Sequence, residues 1–264
     1  MTITLEQIII TGIHLGHLTQ CWNPKIAAYI YGVRNGSHLI DLVITRTQLK
    51  IAQHFLVQIR GEGRSVLFVG NELHTKQIVK ERALVSKCFF VKGRWLGGIL
   101  TNLPTIQTSL LQLHRLEQEK KNGLWRNLTK KNVTLLRKKL QRKQQLKGLQ
   151  GMKSVPGIVV ILTQKRNNIA IQECKKIQIP TICLLDTDCD PSIVNIGIPI
   201  NDDSGARIQL FLETILLSIY EGHRWWLSKK VKQQTKIYKR TFKKRTRLAR
   251  TGYFFEIYSY YKPE

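Results

Sequence analysis

Ser65-Val66-Leu67-Phe68-Val69-Gly70 is a run of four large apolar residues closed by a glycine, too short for a helix and without the alternation of a half-exposed strand. Such a run reads as a strand buried on both faces, the form that parallel strands take. A helical pattern follows over 72–85, then a second apolar strand over Lys87–Val91. Further along come a strand over Ile158–Thr163, a helix over Asn167–Ile177, a strand over Thr181–Leu185, a short strand over Gly197–Ile200 and a helix over Asp203–Tyr220. Strands alternating with helices imply a parallel sheet covered on both faces, so the fold class is α/β, a doubly wound parallel sheet. A capping-box pattern, Thr4 with Gln7, opens a short helix over Leu5–Ile10.

Between the second and third of these strands the pattern changes. Ile106, Leu110, Leu113 and Leu116 recur at helical spacing, Asn122-Gly123 interrupts them, and Val133, Leu136 and Leu140 resume with Thr129 as the expected N-cap. Two narrow apolar stripes of this kind predict an inserted antiparallel coiled-coil hairpin. The chain therefore divides into a doubly wound core over 1–103 and 154–223, a basic helical hairpin over 104–153, and a basic, aromatic-ended C-terminal extension over 224–264.

Charge follows the same division. The 264 residues hold 43 Lys and Arg against 17 Asp and Glu, a net charge of +26. Residues 115–153 and 224–264 each hold thirteen basic and two acidic residues, so the rest of the chain is nearly balanced. Two arms this dense in one sign repel themselves unless a polyanion neutralises them. No apolar run reaches the roughly 18 residues a membrane span needs, which points to nucleic acid rather than a membrane. The extension carries few apolar residues before Tyr253, so it is expected to order only against a partner. Its aromatic end suits packing on a neighbouring protein, or stacking on bases. The opening residues, Met1–Glu6, show neither a signal peptide nor a transit peptide. Five scattered cysteines without a C-x-x-C pair fit a reducing compartment.

Catalytic signatures fail one by one. The turn after the first core strand, Gly70-Asn71-Glu72-Leu73, has one glycine and an acid where a dinucleotide phosphate would sit. Neither a phosphate-cradling Gly-Lys-Ser/Thr loop nor a G-x-S-x-G elbow occurs. His14 and His17 have a spacing that suits a metal, but no Cys or acidic residue stands near them in the sequence. Asp186, Asp188 and Asp190 begin like a calcium loop, yet Pro191 takes the glycine's place and Gly197 that of the closing Glu. Capping of the loop is the plainer role for them, with Mg²⁺ or an arginine as the alternative. The expectation is a non-enzyme with no metal, no cofactor and no small-molecule substrate.

Several strings resemble the bacterial-type ribosomal small-subunit protein S-two family. They are Gly12-Ile-His14-Leu-Gly16-His17, Trp22-Asn-Pro-Lys25, Tyr31-Gly-Val-Arg34-Asn35 with His38 and Ile40, and Val66–Gly70. Arg94-Trp95-Leu-Gly-Gly98 with Thr101-Asn102, Leu128-Thr-Lys130-Lys131, Ile179-Pro180, Asp186–Pro191 and Ile198–Asp203 complete the set, in the family's order from about residue 5 to 223. Thr181–Asp186 is most similar to plastid members. The family's Gly-Thr-Lys is replaced here by Gly70-Asn71-Glu72, and its Gly-Leu-Pro-Asp by Ser154-Val155-Pro156-Gly157.

The resemblance implies a flavodoxin-like core with a projecting coiled coil. It also implies a structural role in the small ribosomal subunit, with rRNA, neighbouring ribosomal proteins and an S-one-type protein as partners. The location it implies is the plastid (chloroplast) ribosome, with a bacterial cytoplasm or a mitochondrion as alternatives. The candidate RNA-binding residues are His14, His17, Trp22, Lys25, Arg34, Asn35, Arg94, Trp95, Lys130, Lys131, Lys138, Lys139, Arg142, Lys243, Lys244 and Arg245. The basic ones suit phosphate contacts, and Trp22 and Trp95 offer stacking faces, Trp95 with a core position as its equal alternative.

Overall fold

A computed structural model describes residues 11–71 and 73–250, with side chains at 11–71 and 75–232. Strands β4 (Val66–Val69), β5 (Phe89–Val91), β6 (Ile158–Ile161), β7 (Thr181–Leu185) and β8 (Ile196–Pro199) form one parallel sheet in the order β5-β4-β6-β7-β8. Counted by first appearance this is 2-1-3-4-5, the flavodoxin-like order, with its switch point between β4 and β6. All residues of β4, β6 and β7 are buried. The period of two sends Val66 and Phe68 to one face and Leu67 and Val69 to the other.

Helices α1 (Leu42–Gly61), α2 (Leu73–Val85) and α6 (Gly205–Arg250) cover the first face. Helix α5 (Asn168–Ile177), the loop carrying Trp95, Ile99 and Leu100, and Ile106, Leu146, Leu149 and Met152 at the base of the insertion cover the second. The insertion consists of α3 (Leu103–Lys121) and α4 (Lys130–Lys143), joined through Gly123 at φ 72° and a short 3-10 turn. Leu113, Leu116, Trp125 and Leu140 form its own small core, with Leu110, Val133 and Leu136 packed on it. Thr129 stands at the N-cap of α4 without a side-chain capping bond, so that expected bond is absent.

Three strands and one helix have no counterpart among the elements expected from the sequence. Strands β1 (Leu15–Leu18), β2 (Ile30–Arg34) and β3 (Ser37–Ile40) make a small antiparallel sheet with β3 in the middle. Asn35 and Gly36, at φ 52° and 75°, make the tight turn between β2 and β3. Helix α1 begins at Asp41, whose carboxylate accepts the Val43 and Ile44 amides. It buries Thr45, Leu49, Ala52, Leu56 and Ile59, a 4-3-4-3 spacing.

The largest correction concerns α6, expected to stop at Tyr220. It runs unbroken to Arg250, 46 residues or about 70 Å at 1.5 Å per residue. Residues 223–250 contain neither Gly nor Pro, and Lys, Arg, Gln and Leu are good helix formers, so nothing there stops the helix. Its passage past the core is fixed by contact with α1. A Cβ on Gly222 would lie 2.6 Å from the Val57 carbonyl, and Trp225 and Trp226 lie over Gly61 and Gly63. The expected helix over 5–10 and the aromatic end of the chain lie outside the described residues. Among those residues no helix is long and apolar enough to cross a membrane.

Candidate nucleic-acid interface

Helix α4 shows how the basic surface is built. At 100° per residue, Val133, Leu136 and Leu140 share the face turned to α3, and Lys131, Lys138 and Arg142 fall on the opposite face. These three cations are exposed and span about 16 Å of helix. Lys130 and Lys139 flank them and are exposed as well. The two acids of the hairpin are already engaged, Glu119 by Arg115 at 3.1 Å and Glu117 by Lys147 at 2.9 Å. Among the described residues the α4 cations therefore have no carboxylate partner.

The N-terminal candidates separate into different surroundings. Arg34 is exposed at the end of β2, and Asn35 forms the hairpin turn itself. Trp22 is half-buried, its ring 4.8 Å from that of His38. Lys25 is paired with Asp190 at 2.6 Å, and that bond, with two from Ser192, holds the Asp190 carboxyl down at about 2. Lys243, Lys244 and Arg245 lie on the backbone of α6, in the part where side chains are outside the described set.

Trp95 requires a correction. It is 3% exposed, and its indole N–H donates to Glu173 Oε1 at 3.0 Å, so it is a core residue and offers no face to a base. The same carboxylate accepts the amides of Gly98, Leu100 and Thr101 at 2.7, 3.0 and 3.3 Å. Burial alone would raise the Glu173 pKa. The four N–H donors outweigh it and hold the carboxyl below the usual range. Glu173, on α5, thus fixes the loop that presents exposed Arg94. Sequence reasoning missed it, because an acid 78 residues from Trp95 carries no local signal.

His17 is the second correction. Its neighbours in the fold are carboxylates 169 to 186 residues away, with Nδ1 3.0 Å from Asp186 and Nε2 3.6 Å from Asp188 and 3.9 Å from Asp203. The carboxylates around it disfavour a phosphate at this side chain. His14 is half-buried, and its carbonyl accepts the Ile40 amide.

The crevice at the switch point is closed. Asn167 Nδ2 donates to Asn71 Oδ1 at 3.4 Å, and Asn71 Nδ2 to the Arg166 carbonyl at 3.3 Å, across the ends of β4 and β6. Buried Gln164 exchanges two bonds with the Asp190 backbone, at 2.6 and 2.7 Å, tying β6 to the loop after β7.

Comparison with known proteins completes the description. The family model of ribosomal protein S2 matches residues 8–222. The small ribosomal subunit protein uS2c of Mesostigma viride is 45% identical over 224 residues, 84% of this chain and 98% of that protein. The uS2c protein of Porphyra purpurea is 44% identical over 221 residues, 83% and 92% of the two chains. A cyanobacterial relative, the uS2 protein of Picosynechococcus, is 40% identical over 221 residues, 83% and 86% of the two.

Proposed function

The chain belongs to the ribosomal protein S2 family, and from that premise we propose how it serves as a structural, non-enzymatic constituent of a small ribosomal subunit. It binds rRNA chiefly through the outer face of the hairpin. One observation carries this reading: the row Lys131, Lys138 and Arg142, backed by an apolar seam and free of acidic partners among the described residues. Such a row meets phosphates and reads no base sequence. Lys130, Lys139, Arg34 and Arg94 extend it, with His14 and Trp22 at the N-terminal sheet. Lys243, Lys244 and Arg245 contribute by charge alone. Lys25 and Asn35 act by holding their own loops. Neighbouring small-subunit proteins, an S-one-type protein among them, are the other partners.

The ribosome is of the plastid or bacterial type. We assign it to a plastid, a reading supported by the relatives named uS2c.

Salt dependence tests the hairpin contact. Log affinity for a small-subunit rRNA fragment should fall linearly with log salt concentration, by roughly 0.7–0.9 per phosphate neutralised. Replacing Lys131, Lys138 and Arg142 together by Gln should make that slope shallower by about 2–3. An unchanged slope in the triple variant would remove the hairpin from the interface.

A further inference from the structure

We propose that the groove between α2 and the base of the insertion is a docking site for an acidic peptide segment of a neighbouring protein, one that carries a large apolar side chain among its carboxylates. The proposal rests on the reading that such proteins are partners of this chain, and names the surface that one of them takes.

Lys76, Lys80 and Leu84 stand four residues apart on α2, so one stripe of that helix, about 12 Å long, makes the first wall. The 3-10 segment Gln144–Leu149 makes the second, and edge strand β5 with Lys92 and Gly93 lies between them. Two cavities of about 620 and 730 Å³ adjoin in this groove and share Lys80, Lys92 and Gln144.

Their chemistry differs. The first is lined by Lys76, Lys80, Lys92 and glutamines, and its one acid, Glu81, already accepts a bond from Gln77 at 2.9 Å. The second offers Leu84, 59% exposed, beside half-buried Phe89, with Lys87 at the same opening. Lys147 is engaged by Glu117, but Lys76, Lys80, Lys87 and Lys92 have no carboxylate partner among the described residues. Lys76 and Lys80, one turn apart, repel each other, and Lys92 adds a third charge to the same cavity. Carboxylates brought among them relieve that repulsion.

The apolar end decides the class of partner. Leu84 and Phe89 give a phosphodiester strand nothing to bind, and RNA has the open outer face of the hairpin. An acidic peptide uses both ends at once, its carboxylates at the lysines and its apolar side chain at Leu84 and Phe89. About four extended residues span the 12 Å.

Fluorescence polarisation on the full-length chain tests this, with a short labelled peptide of Asp and Glu around one central Phe. The expected result is saturable binding that weakens about tenfold when Lys76, Lys80 and Lys92 are together replaced by Gln. It weakens about tenfold again when the peptide's Phe is replaced by Ala. The triple Gln variant of Lys131, Lys138 and Arg142 should bind the peptide as the wild type does. Circular dichroism shows that both variants are folded. No saturable binding, an equal loss in the hairpin variant, indifference to the Phe, or displacement of the peptide by an equal concentration of oligouridylate each overturns the proposal. Co-sedimentation with the small ribosomal subunit keeps the two readings apart: if the chain sediments but does not bind the peptide, the groove proposal falls and the ribosomal role stands.

Discussion

Glu173→Ala lowers the free energy of unfolding by about 3–5 kcal/mol, the cost of stranding several buried donors of one carboxylate. The indole of Trp95 and the amides of Gly98, Leu100 and Thr101 all point at this side chain. Trp95 and Leu100 are 3% and 2% exposed, so water reaches their N–H groups poorly. Glu173→Gln recovers only part of the loss, because its amide nitrogen brings a donor to a place that already holds four N–H donors and the Thr101 hydroxyl. Urea unfolding monitored by fluorescence reads both values; a loss under 1 kcal/mol for the alanine variant would show that the loop is held by packing alone. The acid side of the stability profile gives a second check. A carboxyl whose folded pKa is depressed contributes fully above the ordinary glutamate range, and loses that contribution as pH falls through the folded value. The wild type should therefore lose more stability than Glu173→Ala between pH 5 and pH 3.

Gly148→Ala should separate the hairpin from the sheet. The 3-10 segment over Gln144–Leu149 crosses edge strand β5 so closely that a Cβ on Gly148 would lie 2.1 Å from the Phe90 carbonyl oxygen. Both sides of this contact are main chain, so no side-chain rotation relieves it. The expected cost is about 2–4 kcal/mol, at the upper end for overpacking. The clash falls on β5, the edge strand of the sheet, with β6, β7 and β8 beyond β4. Limited proteolysis should cut near 144–151 in the variant and leave the remaining core intact. Rates of cleavage equal to those of the wild type would mean that the hairpin is anchored elsewhere.

These two positions also mark the boundary of what the sequence reveals. The strands of the large sheet were legible because Val66–Val69, Ile158–Ile161 and Thr181–Leu185 are unbroken apolar runs, as burial on both faces demands. The hairpin was legible from its two stripes. Helix α1 carried equally clear signals, Asp41 as cap and a 4-3-4-3 apolar face, and passed unread beside the motif-rich N-terminal loops. The length of α6 is not legible from apolar periodicity, because residues 223–250 hold few apolar residues while their Lys, Arg, Gln and Leu favour a helix and no Gly or Pro interrupts it.

Site residues were harder for a physical reason. Lys131 and Arg142 owe their exposure to helical geometry, which sequence spacing gives directly. Trp95 and His17 owe their roles to Glu173 and Asp186, partners that only the tertiary fold supplies. A tryptophan after an arginine looks the same in a sequence whether a base or a buried carboxylate awaits it.

The account rests on two basic stretches that a phosphate-rich partner completes, the exposed face of the hairpin and the residues 224–250 of the sequence. Gradient sedimentation of the tagged chain in extracts of its own compartment tests this most directly. The chain should travel with the small ribosomal subunit at low salt and leave it only as salt rises, and the Lys131, Lys138 and Arg142 triple Gln variant should leave at lower salt than the wild type. A wild-type chain found at the top of the gradient at low salt, free of RNA, would contradict the account.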